Sequence, residues 1–227
     1  MLHNSIIVQH CRENTGKDSI MEELPLAVTF VSPSLDERLK WLNPPPRWEV
    51  DPEDHTLVIY PGGKTDFWQQ THYRFRADNG HLLCAQISGD WELSTSLVMK
   101  PRHQYDQAGL MVRVSPACWL KTSIEYECEE PAQLGVVVTN HGFSDWSTQN
   151  FSLNGQLLHF RLLKHRSDYM VFFADGNNDE KVSWQRLRIT HLHHRPFASV
   201  LCGIYCCSPR EEGFEARFFH FTLQPVS

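Results

Sequence analysis

The chain has 227 residues, 41% hydrophobic and 21% charged, close to the globular average; this excludes wholesale disorder and leaves room for one large β domain. A net charge of −6 and a pI near 6.1 argue against general affinity for nucleic acid or anionic membranes. No apolar run approaches the roughly 18 residues that span a bilayer.

Met1 to His10 lacks a basic start followed by a long apolar region, so a soluble, unexported, cytoplasmic protein is expected. Seven cysteines, Cys11, Cys84, Cys118, Cys128, Cys202, Cys206 and Cys207, show no paired C-x-x-C framework. They are expected to be reduced and mostly buried, with no structural metal and no cofactor. Asn150-Phe151-Ser152 matches a glycosylation acceptor, but without an export signal it carries no weight.

Residues 1–35 mix polar and apolar types without sustained period and are expected to be a partly flexible amino-terminal extension; 36–227 form the folded domain. Ser34 to Leu42 predicts a helical turn capped by Ser34 and stopped by Pro44 to Pro46. Strands are predicted at Thr56–Tyr60, within DFWQQTHYRF, and at His81–Ser88 and Trp91–Met99. Further along the chain they fall at Leu157–His165, Tyr169–Ala174, Val182–His191, Ser199–Tyr205 and Phe214–Leu223. Asn79-Gly80 and Asp175-Gly176 are turn signals. Many short strands and no long amphipathic helix mean an all-β sandwich or barrel.

The centre of the chain is a β-meander: Ala108 to Val114, Trp119 to Tyr126 and Leu134 to Thr139, parted by Ser-Pro and Glu-Glu-Pro. Alternation puts Leu110, Val112 and Val114 on the core face with Leu120, Thr122, Ile124 and Tyr126. For both sets to share a face, the link through Ser115 and Pro116 must hold a bulge or an odd number of unpaired residues. Tyr105, Gln107, Arg113, Trp119, Lys121 and Glu125 then occupy the opposite face.

Six stretches in order, TDFWQQT (65–71), DNGH (78–81), YDQAGLMV (105–112), WLKTSIE (119–125), VVVTNHGFSDWS (136–147) and DG followed by W and LR (175–188), carry a resemblance. Over roughly Trp41 to Phe221 the chain resembles a concanavalin-A-like β-sandwich family of unknown function, a fungal branch of which is named for the regulation of enolase. The resemblance implies a lectin/glucanase-type jelly roll of two antiparallel sheets, one concave. It implies no reaction, so function has to be argued from a site.

A sugar needs an aromatic plate for its apolar face and planar polar groups for its hydroxyls. Tyr105 and Trp119, with Gln107, Lys121 and Glu125, offer that mixture on the sheet expected to be concave; Arg161 in HFRLL, and Asp145 and Trp146 in a FSDWS loop, are further candidates. Glu125, Glu127 and Glu129 distantly resemble the E-x-D-x-E of retaining glucanases without its central Asp, and read as a charged strand end, so no catalytic residue is assigned. His191, His193 and His194 read as a surface strand end rather than a metal site, and adjacent Cys206 and Cys207 as core thiols. The expectation is a non-catalytic, lectin-like domain binding a saccharide or similar polar ligand. The alternatives are a regulatory protein acting on a metabolic enzyme, and a glycoside-hydrolase-like enzyme.

Overall fold

A computed structural model describes residues 24–72, 74–128, 131–176 and 182–226. In chain order the strands are β1 (Leu26–Thr29), β2 (Lys40–Leu42), β3 (Arg47–Asp51), β4 (Thr56–Tyr60), β5 (Phe67–Gln69) and β6 (Arg76–Asp78). They continue with β7 (His81–Ile87), β8 (Trp91–Lys100), β9 (Gln107–Ser115), β10 (Cys118–Glu125), β11 (Ala132–Asn140) and β12 (Phe143–Phe151). Last come β13 (Leu158–His165), β14 (Asp168–Asp175), β15 (Gln185–His191), β16 (Val200–Cys207), β17 (Glu215–Phe218) and β18 (His220–Pro225).

These strands make the all-β jelly-roll sandwich of two antiparallel sheets that the resemblance implies. The nine-stranded sheet runs β15-β14-β13-β8-β17-β4-β3, with β18 also on β8 and β1 on β18. The seven-stranded sheet runs β12-β11-β10-β9-β16-β7-β2, and β5 and β6 form a hairpin of their own. Between the sheets, Leu110, Val112, Leu120 and Ile124 meet Leu93, Leu97, Phe160, Leu162, Val171 and Phe218 in one core. Each such buried side chain contributes about 1.5–3 kcal/mol relative to exposure. The expected bulge is present: Cys118 pairs with Ser115 and Trp119 with Arg113, which leaves Val114 unpaired and keeps both apolar sets on the core face. Among the described residues no helix is long and apolar enough to cross a membrane.

Four local expectations differ from the fold. Residues 26–29, read as extension, form β1, because Leu26 is fully buried and the β18 edge is free to pair. Residues 1–23 lie outside the described residues. The predicted helical turn over Ser34 to Leu42 is replaced by a tight turn in which the Asp36 carboxylate accepts from Arg38 N and the Arg38 guanidinium. Lys40 to Leu42 then pair with β7, and Leu39 and Trp41 pack on the core.

The FSDWS segment is no loop but the start of β12, a nine-residue edge strand. Lying at the sheet's end, it is exposed over most of its length and shows no apolar alternation. Phe214 to Leu223 is two strands, broken at Phe219, whose N–H bonds Ser96 O. Ten-residue β8 is long enough to pair β17 along one half and β18 along the other.

Candidate functional site

The seven-stranded sheet turns its other face away from the core, and there the β5–β6 hairpin lies across it. Phe67 is fully buried between Trp119 and Tyr205, ring centroids 6.3 Å from each, over Met111, Val137 and Cys207. A side chain at Gly80 would put its Cβ 2.5 Å from the Phe67 ring and from Cys207 Sγ, so glycine is required for this seating.

Beneath the hairpin is a buried polar network. Lys121 Nζ donates to Asp66 Oδ1 (2.9 Å) and to Gln107 Oε1 (2.8 Å), and Lys121 is only 3% exposed. Gln107 Oε1 also accepts from Tyr205 OH (3.3 Å), while Gln107 Nε2 donates to Glu125 Oε2 (2.9 Å) and Tyr105 O (3.2 Å). Its amide is thereby fully used. A second ion pair, Arg113 fork-to-fork with Asp78 at 2.5 and 2.7 Å, fastens β6 to the same face.

Burial alone would lower the Lys121 pKa, but Asp66, with smaller help from Cys207 and Glu125, outweighs it, and the net shift is upward. The amine is therefore a charged anchor for the hairpin. The Glu125 carboxyl is pushed up to about 8, chiefly by removal from water, with Lys121 opposing and Asp66 and Glu127 adding to the shift. Folded Glu125 thus keeps a proton that the unfolded chain, near 4.5, gives up. Its stabilising contribution is complete below pH 4.5 and lost as pH rises through about 8. The melting temperature should fall between about pH 5 and pH 8 more steeply in wild type than in Glu125→Gln. Parallel curves would mean that this carboxyl titrates normally.

The predicted site residues therefore separate. Gln107, Trp119, Lys121 and Glu125 do converge, but under the hairpin. Tyr105, at a positive φ of 74°, precedes β9 with Arg210 over its ring at 5.1 Å. Arg161 does not join them: it lies on β13 of the other sheet, its guanidinium between Phe172 (4.7 Å) and Trp184 (4.5 Å). Glu127 accepts from Gln104 at 2.9 Å, and Glu129 lies outside the described residues.

Asp145 and Trp146 belong to a different place, an open cleft of about 530 Å³ where the hairpin meets β12, lined by Trp68, Thr71, His72, Phe143, Ser144, Asp145 and Trp146. Trp68 and Trp146 meet edge to face, centroids 6.5 Å apart at 84°. Ser144 Oγ accepts from Gln69 N (2.9 Å) and Gln70 Nε2 donates to Gly142 O (2.9 Å), tying hairpin to strand. Trp146 stays 38% exposed, with its indole over Gly135, where a Cβ would lie 2.6 Å from Nε1. Asp145 is held by Arg188 Nη2 at 3.1 Å yet stays 71% exposed. Sequence reasoning missed Trp68, Thr71 and His72 as site residues, although TDFWQQT was among the stretches that carry the resemblance.

Residues 41–226 match the family described as protein of unknown function (DUF1349). The chain belongs to this family. It is 31% identical over 186 residues to "Regulation of enolase protein 1" of Saccharomyces cerevisiae, covering 81% of this chain and 87% of that one. A functionally unknown protein from Saccharomyces cerevisiae has a similar structure, with TM-score 0.73 and 28% identity over 84% of this chain and 97% of that one. The xylan beta-1,4-xylosidase of Bacillus Halodurans C-125 is similar at TM-score 0.67 and 15% identity, over 92% of this chain but 41% of that enzyme. That last likeness is one of fold. The family match begins at Trp41, so β1 lies before the matched residues, while the hairpin, its buried network and the cleft all fall inside them.

Proposed function

We propose that the protein is a non-catalytic, lectin-like binding domain, and that its ligand, a saccharide or similar polar molecule, is held in the Trp68–Trp146 cleft. The observation that carries this reading is the exposed Trp146 ring, edge to face with Trp68, in a cleft open to solvent. An aromatic plate stacks on the apolar face of a sugar. The Lys121 network serves this site indirectly, by anchoring the hairpin that carries Trp68. Shallow walls make for modest affinity. None of the six described cysteines is in a disulfide and five of them are buried, which supports a reducing, cytoplasmic setting.

A glycan array with a thermal-shift screen should yield a saccharide that raises the melting temperature. Trp146→Ala should weaken its binding about tenfold or more, the loss of one stacking ring. A saccharide bound equally well by Trp146→Ala would remove the cleft from the account.

A second reading, regulation of a metabolic enzyme through direct contact, is favoured by the relative named for the regulation of enolase. Here the exposed Phe143 and Trp146 of β12 would form the contact. A stoichiometric partner lost in Trp146→Ala, with no saccharide response in wild type, would favour it over the first. Glycoside hydrolysis is the weakest reading, because Glu125 is engaged by Gln107 beneath the hairpin.

A further inference from the structure

The histidines that the sequence offered were His191, His193 and His194, on one segment. The fold adds a fourth from the other sheet. His141 sits in the turn between β11 and β12 with φ of 53°, and His191 ends β15 two residues before His193. Asn140 binds the two segments together: its Nδ2 donates to His191 O (3.0 Å) and its Oδ1 accepts from His193 N (2.9 Å). As a result His141 Nε2 and His193 Nδ1 face each other at 2.5 Å, with ring centroids 4.6 Å apart. The His191 ring lies 5.4 Å from that of His193.

A second observation concerns His191. Its Nδ1 is 2.6 Å from Asp168 Oδ1, which makes Nδ1 the protonated nitrogen and leaves Nε2 with the lone pair. A carboxylate that fixes the tautomer in this way is the usual support for a metal-ligating imidazole. His194 takes no part, since its Nε2 contacts Tyr169 OH at 2.9 Å and its Nδ1 contacts Arg195 O at 2.7 Å.

We propose that His141 and His193 form a surface clip for a borderline divalent transition-metal ion, Zn²⁺ or Cu²⁺, which His191 completes as third ligand. Imidazole nitrogens bind such ions at about 2.0–2.1 Å, so the facing pair must part by somewhat under ~1 Å to admit one, a small side-chain rotation for exposed rings. Among the described residues no three-ligand group is already assembled. Binding therefore has to swing His191 inward while Asp168 keeps its tautomer, and the ion retains water in its remaining positions. The bound ion would fasten the β11–β12 turn of one sheet to the end of β15 in the other.

The test titrates the full chain with ZnCl₂ by calorimetry and with Cu²⁺ by electron paramagnetic resonance. Wild type should bind one ion, show nitrogen coupling from at least two imidazoles, and melt at a higher temperature with Zn²⁺ than without. His141→Ala and His193→Ala should each weaken binding about tenfold or more and abolish the thermal shift, and Asp168→Asn should weaken it about tenfold. The proposal is overturned if neither metal binds at millimolar concentration. It is overturned equally if binding survives unchanged in both His141→Ala and His193→Ala, as it would if His3, His10 and Cys11 were the ligands.

Discussion

Lys121→Ala should lower stability by about 3–5 kcal/mol, the usual cost of removing one partner from a buried ion pair. Two groups lose a partner at once. Asp66 keeps its charge beside the hairpin without the ammonium at 2.9 Å, and Gln107 Oε1 loses its 2.8 Å donor. The loss should fall toward the lower end of that range, because the Asp66 side chain is 18% exposed and water can take up part of its charge. Urea denaturation measures it directly. Replacing both charges, as in Lys121→Met with Asp66→Asn, should recover most of the loss, since no ion then remains unpaired. If Lys121→Ala costs less than about 1 kcal/mol, the ion pair behaves as a solvated surface pair and does not anchor the hairpin.

Gly135→Val should disable the cleft without replacing any group proposed to meet the ligand. At Gly135 even a Cβ would lie 2.6 Å from Trp146 Nε1 and 3.2 Å from Ser147 O, so a branched side chain must lift the indole from the sheet. The edge-to-face contact with Trp68 then breaks. Saccharide affinity should fall about tenfold or more, which is about 1.4 kcal/mol of binding free energy, and tryptophan fluorescence should report the displaced ring. The fold should survive, because Val favours strands and β11 keeps its pairing with β10 and β12. Unchanged affinity with altered fluorescence would show that the ring position does not matter for binding.

The fold was legible wherever burial on one face imposed alternation. Leu110, Val112, Leu120 and Ile124 announced their face, and the offset between the two runs demanded a bulge or an odd number of unpaired residues between them, which the structure supplies at Val114. Edge strands gave weaker signals. In β12 nearly every side chain is solvated, so FSDWS read as a loop, and β1 was too short to display a period.

The candidate site was half legible. Parity alone assembled Gln107, Trp119, Lys121 and Glu125, which do converge. It could not foresee that a hairpin 55 residues before Lys121 would supply Asp66 as counter-ion and Phe67 as cover, because such contacts leave no local pattern. Arg161 was misplaced for a related reason: strand alternation gives a side chain's face but not the sheet to which its strand belongs. His141 escaped notice because its neighbour His193 is 52 positions away.

The most direct test of the cleft is a nuclear magnetic resonance titration of the saccharide found by screening, followed at the indole N–H signals of the seven tryptophans. Trp68 and Trp146 should shift with the ligand while Trp119, fully buried under Phe67, stays in place. Shifts at Trp119 with Trp68 and Trp146 unmoved would contradict this and return the ligand to the centre of the sheet.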